Sequence, residues 1–513
     1  MTGAEIAGEA AAVSPTDAPR AAAGLFDRDL SQPLAFIALA AAYVASRVPF
    51  MNIGYGGDAD AWRVALSAYW IRDHHEFCPS RLPGYPVHEL ASAAVIRGGW
   101  LATNTLTLLV SLIGVWFFAR IVRKLEVPHA ALIVIGFAFT PLLWINSMAT
   151  MDYMWALTFI LGCYCFLLDG KVPLAGVMLG LAVASRPTSL VFIVPFAVYV
   201  VRDGRRSELR DFIVWTIAVP MLAYLPIVWK YGPGFLNFYD ARVGHFDVLR
   251  LVAKDSIGLV GAIAVVVAAA ISLPKLARLP GDFLRDKNVT VWLLAIAVTL
   301  AVFIRLPHES AFLIPLYPFG FLVMARYLRR AALVAAVAAI LLAGFVDVDT
   351  HGADLDATAL RHARIGQGLV LENRSTMKAQ VAFSRDLAKQ QIPDHSVVML
   401  GDSYPQFAVL NRDRLKLDIL DKDTSSISQL SDKGKAVDGQ HGITYVWLLD
   451  HAAFGRDLFQ RYNLFYTADA ARAAVALFGY RPGFYDGQGG VPVKPLDVAG
   501  EPPRGIGAAD TAR

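Results

Sequence analysis

The chain has 513 residues, of which 56% are hydrophobic and only 18% charged, and its mean hydropathy is +0.47. Soluble domains carry about 25% charged residues, so this composition indicates a membrane protein. A net charge of +4 is small for this length and gives no reason to expect a nucleic-acid partner. The three cysteines (Cys78, Cys163 and Cys165) suit neither a disulfide framework nor a zinc site, and we interpret them as packing residues.

Residues 1–32 are rich in alanine and lack the cationic start and apolar core of a signal peptide, so we interpret them as a flexible cytoplasmic tail.

A membrane-spanning helix needs about 20 apolar residues, with a range of roughly 17–25. Runs compatible with spanning occur at 33–50, 101–119, 130–150, 153–168, 172–185, 187–201, 212–229, 256–273, 289–304, 311–325 and 331–346. The sequence therefore predicts a mainly α, polytopic membrane protein with about eleven transmembrane helices.

Segment 84–97 is too short and too charged to span, and we predict an interfacial helix there. Because this segment is left out of the count of spans, the side of the membrane is determined for every later loop. With a cytoplasmic N-terminus, the inner loops hold fifteen lysines and arginines, whereas the short outer turns at 149–152, 185–187 and 305–310 hold only Arg186 and Arg305. This distribution satisfies the positive-inside rule and predicts a C-terminus on the outer side of a bacterial-type inner membrane.

From residue 347 charges become frequent and apolar runs shorten to four to eight residues, as in "HSVVMLGD" and "ITYVWLLD". Such runs, bounded by turn residues, are typical of a small α/β domain. We therefore predict a transmembrane domain at 33–346 with a first outer loop at 51–100, a soluble extracytoplasmic α/β domain at 347–495, and a disordered tail at 496–513.

Ionisable side chains are almost absent from the apolar runs and collect on the predicted outer side. This scarcity argues against an ion-coupled transporter, which usually carries such groups near the membrane midplane. Five separate stretches of chain contribute to the outer set: Asp58, Asp60, Arg63, Arg81, Asp152, Arg186, Arg305, His308 and Glu309. We therefore expect a polar site at the outer surface.

Each of these residues also has a simple structural interpretation. Asp58 and Asp60, in "GYGGDADAWR", suit an acidic turn, and Asp152 suits a helix N-cap. Arg81 could anchor at lipid headgroups. Arg186 joins two apolar runs of 14–15 residues, which are too short to cross the whole membrane, so it should lie below the membrane surface. A water-filled cavity or a lipid phosphate would stabilise its charge there. The alternative is that helix packing alone tips it inward.

The ordered landmarks resemble a family. The first span is followed by the Asp motif, by "SRLPGYP", by a span ending "FFARIVRKL", and then by "FTPLLWINSMATMDY", "GVMLGLAVASRPTSLVFIVP" and "HESAFLIPLYPF". This order is similar to the GT-C class of polytopic glycosyltransferases, of the protein O-mannosyltransferase and lipid A aminoarabinose transferase type. The resemblance covers roughly residues 33–346.

The resemblance implies a GT-C fold and transfer of a sugar from a polyprenyl-phosphate donor to a lipid, glycan or protein acceptor, with inversion. It places the principal acid at Asp60, with Asp58 and Asp152 as further catalytic acids, and the donor-phosphate residues at Arg81 and Arg186. The remaining substrate-binding candidates are Arg63, Tyr85, Arg305, His308 and Glu309. Asp58 and Asp60 are also candidate ligands of a divalent metal ion, which this class does not always need.

These residue types suit the chemistry independently. An acceptor hydroxyl becomes a good nucleophile when a carboxylate within hydrogen-bond reach takes its proton. A phosphate leaving group needs no general acid, but it needs cations to stabilise its growing negative charge, and arginine does so through paired contacts. Aspartates opposite arginines are therefore what such a transferase requires.

Two other functions stay open from the sequence. The first is a polytopic transporter or lipid flippase. The second is an esterase activity of the C-terminal domain, because Gly401, Asp402 and Ser403 in "VVMLGDSYP" resemble the first block of SGNH esterases. The Asp-x-x-His block of those enzymes is missing, since Asp450 directly precedes His451 in "LLDHAAFG". We therefore favour an accessory role for this domain, such as acceptor binding.

Overall fold

The structure is a computed structural model, and it describes residues 25–232, 245–307, 309–349, 364–420, 434–449, 461–478, 494–496 and 498. Residues 1–24 of the tail predicted at 1–32 lie outside these residues, as do His308 and the tail predicted at 496–513 apart from 496 and 498. Residues 25–32 are described: Leu25–Asp27 form a 3₁₀ turn, and Phe26 and Leu30 pack against the core of the helices. Most of the described chain is helical, and the strands begin only at Val346. The predicted boundary near residue 346 thus coincides with a change of secondary structure.

Every apolar run predicted from the sequence contains a helix. In chain order the helices up to residue 342 are α1 (Pro33–Arg47), α2 (Ala59–His74), α3 (Pro86–Val95), α4 (Gly99–Lys124), α5 (Ala130–Phe139), α6 (Pro141–Ser147), α7 (Tyr153–Leu168), α8 (Val172–Ser185), α9 (Ile193–Arg202), α10 (Leu209–Tyr231), α11 (His245–Ile257), α12 (Leu259–Ile271), α13 (Leu273–Leu276), α14 (Leu279–Arg285), α15 (Lys287–Arg305), α16 (Leu316–Tyr327) and α17 (Arg330–Leu342). Short 3₁₀ segments at Pro187–Phe192 and Ser310–Leu313 precede α9 and α16.

Within the described part of the chain, four helical segments are long and apolar enough to cross a membrane: Pro33–Phe50, Pro86–Lys124, Arg206–Tyr231 and Lys287–Arg305. Two bent pairs, α5 with α6 and the end of α11 with α12, pass the same test when each pair is taken together. Helices α7, α8 and α17 and the segment Pro187–Arg202 are apolar but shorter. These segments make the chain a multi-pass membrane protein, and the number of eleven spans stays a prediction.

The bend between α5 and α6 has an identifiable cause. Pro141 has no amide hydrogen to continue the helix, and the two helices meet at 56°. Arg47, fully buried at the end of α1, donates to the carbonyl oxygen of Ala138 at 2.6 Å and to Ser147 Oγ at 2.8 Å. Its guanidinium also lies 3.5 Å from the ring centre of Tyr43. This arginine therefore joins α1 to both halves of the broken helix.

Segment 84–97 differs from the interfacial helix predicted for it. Helix α3 leads through a 3₁₀ turn at Ile96–Gly98 into α4, within one apolar helical segment. His88 and Glu89 on α3 are completely buried. A helix that lies on a membrane surface turns its charged residues to water, so α3 instead packs as part of the protein interior.

The C-terminal region contains a six-stranded mixed sheet of order β4-β5-β6-β3-β7-β8. Strand β3 is parallel to β6 and β7, β8 is parallel to β7, and β5 is antiparallel to both β4 and β6. A separate antiparallel pair, β1 and β2, precedes it. The strands are β1 (Val346–Asp349), β2 (Arg364–Gln367), β3 (Ser396–Met399), β4 (Leu417–Leu420), β5 (Lys435–Asp438), β6 (Ile443–Val446), β7 (Asn463–Tyr466) and β8 (Lys494–Pro495).

Three helices accompany this sheet: α18 (Leu369–Leu387), α19 (Tyr404–Asn411) and α20 (Ala468–Phe478). The apolar run Val397–Leu400 is fully buried, and the sheet has its own hydrophobic core, distinct from that of the helices. These features fit the α/β domain predicted at 347–495, whose limits stay a prediction.

The sheet region packs against helix α2 of the first outer loop. Arg412 lies 3.0 Å from a carboxylate oxygen of Asp73 and over the ring of Tyr69. Gln380 on α18 donates to the carbonyl oxygen of Gly57 at 3.2 Å, and Leu66 packs against the core of the sheet. The first outer loop thus lies between the helical bundle and the C-terminal sheet.

Candidate functional site

The acids of the "GDADAWR" motif lie at the start of α2. Asp58 is the N-cap of this helix and accepts a 2.9 Å hydrogen bond from the amide of Asp60. The carboxylate of Asp60 contacts two arginines: Oδ1 accepts from Arg63 Nη1 at 2.7 Å, and Oδ2 lies 2.9 Å from Arg81 Nε. The motif is therefore both a helix start and an ion-pair centre, and the interpretation as a simple acidic turn is insufficient.

Arg81, which contacts Asp60, lies on a loop that the side chain of Glu89 holds in place. Glu89, buried on α3, accepts hydrogen bonds from the amide and hydroxyl of Ser80 at 2.7 and 2.6 Å, and from the amide of Tyr85 at 3.0 Å. The ring centre of Tyr85 lies 4.1 Å from the Arg81 guanidinium, a cation–π distance. Arg81 is consequently held inside the protein and is not a headgroup anchor.

Asp152 lies between two arginines. It occupies the N-cap position of α7, yet its side chain caps no helix amide. Instead Oδ1 accepts from Arg81 Nη2 at 3.0 Å and Oδ2 accepts from Arg186 Nη1 at 2.6 Å. Burial alone raises the pKa of Asp152, but the guanidinium groups of Arg186 and Arg81 outweigh it and lower the pKa below its usual value. The carboxyl group is therefore ionised.

Arg186 lies at the break between α8 and the 3₁₀ segment Pro187–Phe192, in an extended backbone conformation. Its guanidinium stacks between two rings, 4.1 Å from the centre of Tyr153 and 4.5 Å from that of Phe312. It also lines a mostly apolar groove, which we call the Arg186 groove, formed with Thr188, Phe192, Val302, Phe312, Pro315 and neighbouring residues. The ion pair with Asp152 and the contacts with the two rings compensate for the burial of this cation.

Glu309 joins the acids of α2 from the turn before α16. Its Oε2 accepts a 2.5 Å hydrogen bond from the hydroxyl of Tyr153, and its carboxyl group is in hydrogen-bond contact with Asp58. One carboxylate oxygen each of Asp58, Asp60 and Glu309 lie within 4.8 Å of one another. We call these three residues the acid triad.

Desolvation raises the pKa of Asp58 well above its usual value, and the negative charges of Glu309 and Asp60 raise it further. Asp60 is in a different position, because both of its oxygens face guanidinium groups. Two neighbouring aspartates thus have opposite electrostatic surroundings. Such a difference is typical of groups that exchange protons during catalysis.

A second groove reaches the motif from the side of the C-terminal region. It lies between the first outer loop, the end of α6 and helix α18, and it is lined by Phe50, Ile53, Gly57, Met148, Asn373, Arg374 and Met377 among others. Arg374 lies 4.7 Å from the ring centre of Phe50. Gly57, which immediately precedes Asp58, forms part of this groove. Of the two grooves, one therefore reaches the site at Tyr153 and Arg186 and the other at Gly57.

Most of the residues predicted from the sequence come together in this site: Asp58, Asp60, Arg63, Arg81, Tyr85, Asp152, Arg186 and Glu309. Arg305 is exposed at the C-terminal end of α15. His308 lies outside the described residues. The catalytic and binding roles assigned to these residues stay predictions.

Two site residues were missed. Tyr153 directly follows Asp152 and connects Arg186 to Glu309 through its ring and its hydroxyl. Glu89 orders the loop that carries Arg81. The signal for Glu89 was an acid in segment 84–97, which we had interpreted as a solvated charge on an interfacial helix.

No family model matches the chain, and no curated protein is similar to it in sequence. Among solved structures, it is similar to ArnT from Cupriavidus metallidurans bound to undecaprenyl phosphate. The identity is 12%, the TM-score is 0.47, and the match covers 75% of this chain and 85% of ArnT.

Proposed function

We propose that this protein is a membrane glycosyltransferase that transfers a sugar from a polyprenyl-phosphate donor to a hydroxyl group of an acceptor, with inversion at the anomeric carbon. The observation that carries the proposal is the arrangement of the acid triad opposite Arg81 and Arg186 at the end of an apolar groove. A lipid-phosphate sugar requires these three elements: a surface for the lipid, cations for the phosphate and a carboxylate for the acceptor.

In this proposal the donor phosphate binds at Arg81 and Arg186. Each guanidinium has five N–H donors, and Asp152 and Asp60 orient the two groups toward the site. The prenyl chain follows the Arg186 groove along Phe192, Val302 and Pro315. As the bond between the sugar and the phosphate oxygen breaks, these cations stabilise the negative charge that develops on the leaving phosphate.

Asp58 is the general base in this proposal. Asp60 is already engaged in ion pairs with Arg63 and Arg81. Burial and the charges of Glu309 and Asp60 raise the pKa of Asp58 well above its usual value, and a carboxylate with a raised pKa is the better proton acceptor. The resemblance favoured Asp60 as the base, whereas the geometry favours Asp60 as the residue that organises Arg63 and Arg81.

The acid triad also fits a divalent cation. Three carboxylates whose oxygens lie within 4.8 Å of one another are a typical ligand set for Mg²⁺, Ca²⁺ or Mn²⁺. Such an ion would neutralise the excess negative charge around Asp58 and polarise an acceptor hydroxyl. Asp58, Asp60 and Glu309 would be its protein ligands, and Tyr153 would orient Glu309 from behind.

The site lies on the periplasmic face of the inner membrane in our proposal, because the inner loops then carry the lysines and arginines. The acceptor, a lipid, glycan or protein, enters from the groove beside Gly57. Single cysteines test this orientation: a membrane-impermeant maleimide should label residue 402 in intact spheroplasts and should label the 120–129 loop only after lysis. Labelling of the 120–129 loop in intact spheroplasts would overturn the topology.

The activity is tested with purified protein, a polyprenyl-phosphate sugar and extracts containing candidate acceptors. Asp58→Asn should abolish transfer while donor affinity is retained, because asparagine preserves the N-cap of α2. Asp60→Asn should mainly weaken donor binding, because Arg81 loses a partner. Full transfer by the Asp58→Asn variant would remove Asp58 as the base, and absence of transfer by the wild-type protein with every donor would contradict the proposed function.

A further inference from the structure

The Gly401-Asp402-Ser403 turn is built by contacts within the C-terminal region. Gly401 has a φ of +60°, and a Cβ there would lie only 2.7 Å from the amide nitrogen of Ala470. Ser403 donates both its amide and its hydroxyl to Asp469 Oδ2, at 3.0 and 3.2 Å. The glycine and the serine of the motif thus serve the turn itself, so the esterase-like pattern has a structural explanation.

Asp402 is the member of this turn that faces the catalytic site. Its Oδ1 accepts a 3.0 Å hydrogen bond from Trp447 Nε1 and lies 3.8 Å from Arg63 Nη2. Arg63 uses its other terminal nitrogen, Nη1, to donate to Asp60. A continuous line of contacts therefore runs from the sheet region through Arg63 to the Asp motif.

We propose that Asp402 is a positioning residue that fixes Arg63 against Asp60, so that the C-terminal sheet completes the catalytic site on α2. This inference rests on the proposed function. Asp60 and Arg63 are three residues apart on one helix, and such a pair alone leaves a long arginine side chain many alternative rotamers. A carboxylate on the far side of the guanidinium selects the rotamer in which Nη1 reaches Asp60.

The surroundings of Arg63 support this role. Its side chain is only 17% exposed, and that of Asp402 is 47% exposed, so Asp402 lies at the open edge of the site and Arg63 lies inside it. Trp447 holds Asp402 from the sheet, while Arg412 and Asp73 hold the same sheet region against α2. Asp402 is therefore presented by a rigid support, as a positioning residue requires.

The first arm of the test measures turnover. Asp402→Asn should lower kcat about tenfold, as a small displacement of a site residue does, and should leave the KM for the donor within twofold, because Arg81 and Arg186 bind the phosphate. Asp402→Glu should restore most of the loss. The matched control is Asp386→Asn, which removes the same charge from a pair with Lys389 on the outside of α18 and should leave kcat unchanged.

The second arm needs no substrate. Phenylglyoxal modification of arginine, followed by peptide mass spectrometry, should show faster reaction of Arg63 in Asp402→Asn and, to a smaller extent, in Trp447→Phe. Arg81 is the internal control and should react at the wild-type rate. Trp447→Phe removes the hydrogen bond to Asp402 but keeps every charge, so this variant still tests the proposal if Asp402→Asn fails to fold.

The outcomes separate the two proposals. If the wild-type protein transfers sugar and neither kcat nor Arg63 reactivity changes in Asp402→Asn, the positioning role is wrong. An equal loss in Asp402→Asn and Asp386→Asn would also overturn it, because a general charge effect would then suffice. If Arg63 is released in Asp402→Asn but the wild-type protein transfers no sugar, the proposed function fails and the structural role of Asp402 stands.

Discussion

Arg186 Nη1 donates a 2.6 Å hydrogen bond to Asp152 Oδ2, although Asp152 has no exposed surface at all. A carboxylate so buried is stable only when cations compensate for its charge, and Arg186 and Arg81 both do so. Arg81 also pairs with Asp60, so two arginines and two aspartates form one network in which the charges balance. This network holds both guanidinium groups in place beside the apolar groove that Arg186 lines.

Asp152→Ala should lower the free energy of unfolding by about 3–5 kcal/mol, because it leaves two buried guanidinium groups without their shared partner. Thermal unfolding of the purified protein in detergent measures this loss. The control is Asp386→Ala, which removes the partner of Lys389 at 2.6 Å in an exposed pair and should cost less than about 1 kcal/mol. Equal losses in the two variants would contradict the special role of Asp152.

Arg186→Lys should raise the KM for the lipid-phosphate donor about tenfold while the protein stays folded. Lysine keeps the positive charge but cannot donate to Asp152 and to a phosphate with the planar geometry of a guanidinium, and it stacks less well between Tyr153 and Phe312. Initial rates at varied donor concentration measure the effect. Arg210→Lys, at a side chain that is 86% exposed, is the control, and a donor KM equal to that of the wild-type protein would argue against phosphate binding at Arg186.

Glu309→Gln should move the acidic limb of the pH profile of kcat/KM to lower pH. Burial raises the pKa of Asp58 first, and the charges of Glu309 and Asp60 add to it. A base must be deprotonated, so activity rises as the pH passes through the pKa of Asp58, and removal of one neighbouring negative charge lowers that pKa. The assay should contain a chelator, so that no metal ion binds the acid triad and the profile reports only protonation of its carboxyl groups. A limb that stays in place or moves to higher pH would exclude Asp58 as the titrating base.

Mn²⁺ or Mg²⁺ at millimolar concentration should raise the thermal unfolding temperature of the wild-type protein, because an ion that binds only the folded acid triad stabilises it by mass action. Glu309→Gln removes one of the three ligands and should abolish most of the increase. Glu76→Gln, at an exposed partner of Lys230, should keep the full response. An equal increase in all three proteins would show that the ion binds elsewhere.

The helices followed from simple patterns, whereas the side of the membrane on which the site lies stays a prediction. Apolar runs such as 153–168 and 172–185 coincide with α7 and α8, because an apolar stretch in a membrane has almost no alternative to a helix. The convergence of Asp60, Arg81, Asp152 and Arg186 was expected from the distribution of lysine and arginine in the loops, since that distribution fixes which turns share a face.

The pairing within the site could not be predicted in the same way. Nothing in "ATMDYM" tells whether Asp152 caps α7 or binds arginines, since both interpretations satisfy a carboxylate at a helix start. Tyr153 and Glu89 act through contacts with residues 156 and 9 positions away in the sequence. The approach of Asp402 to Arg63 depends on how a separate sheet packs against α2, and no periodic pattern in either segment encodes that.

Arg47 has a consequence for the precision of the whole site. Its guanidinium donates to three different segments: α1 itself, the last turn of α5, and α6. The stretch that leads to the Asp motif begins one residue later, with the turn Val48–Phe50. Asp58 therefore lies only eleven residues after a fixed point, and a cation that a hydropathy plot counts as the end of a span ties the start of the first outer loop to the helices α5 and α6.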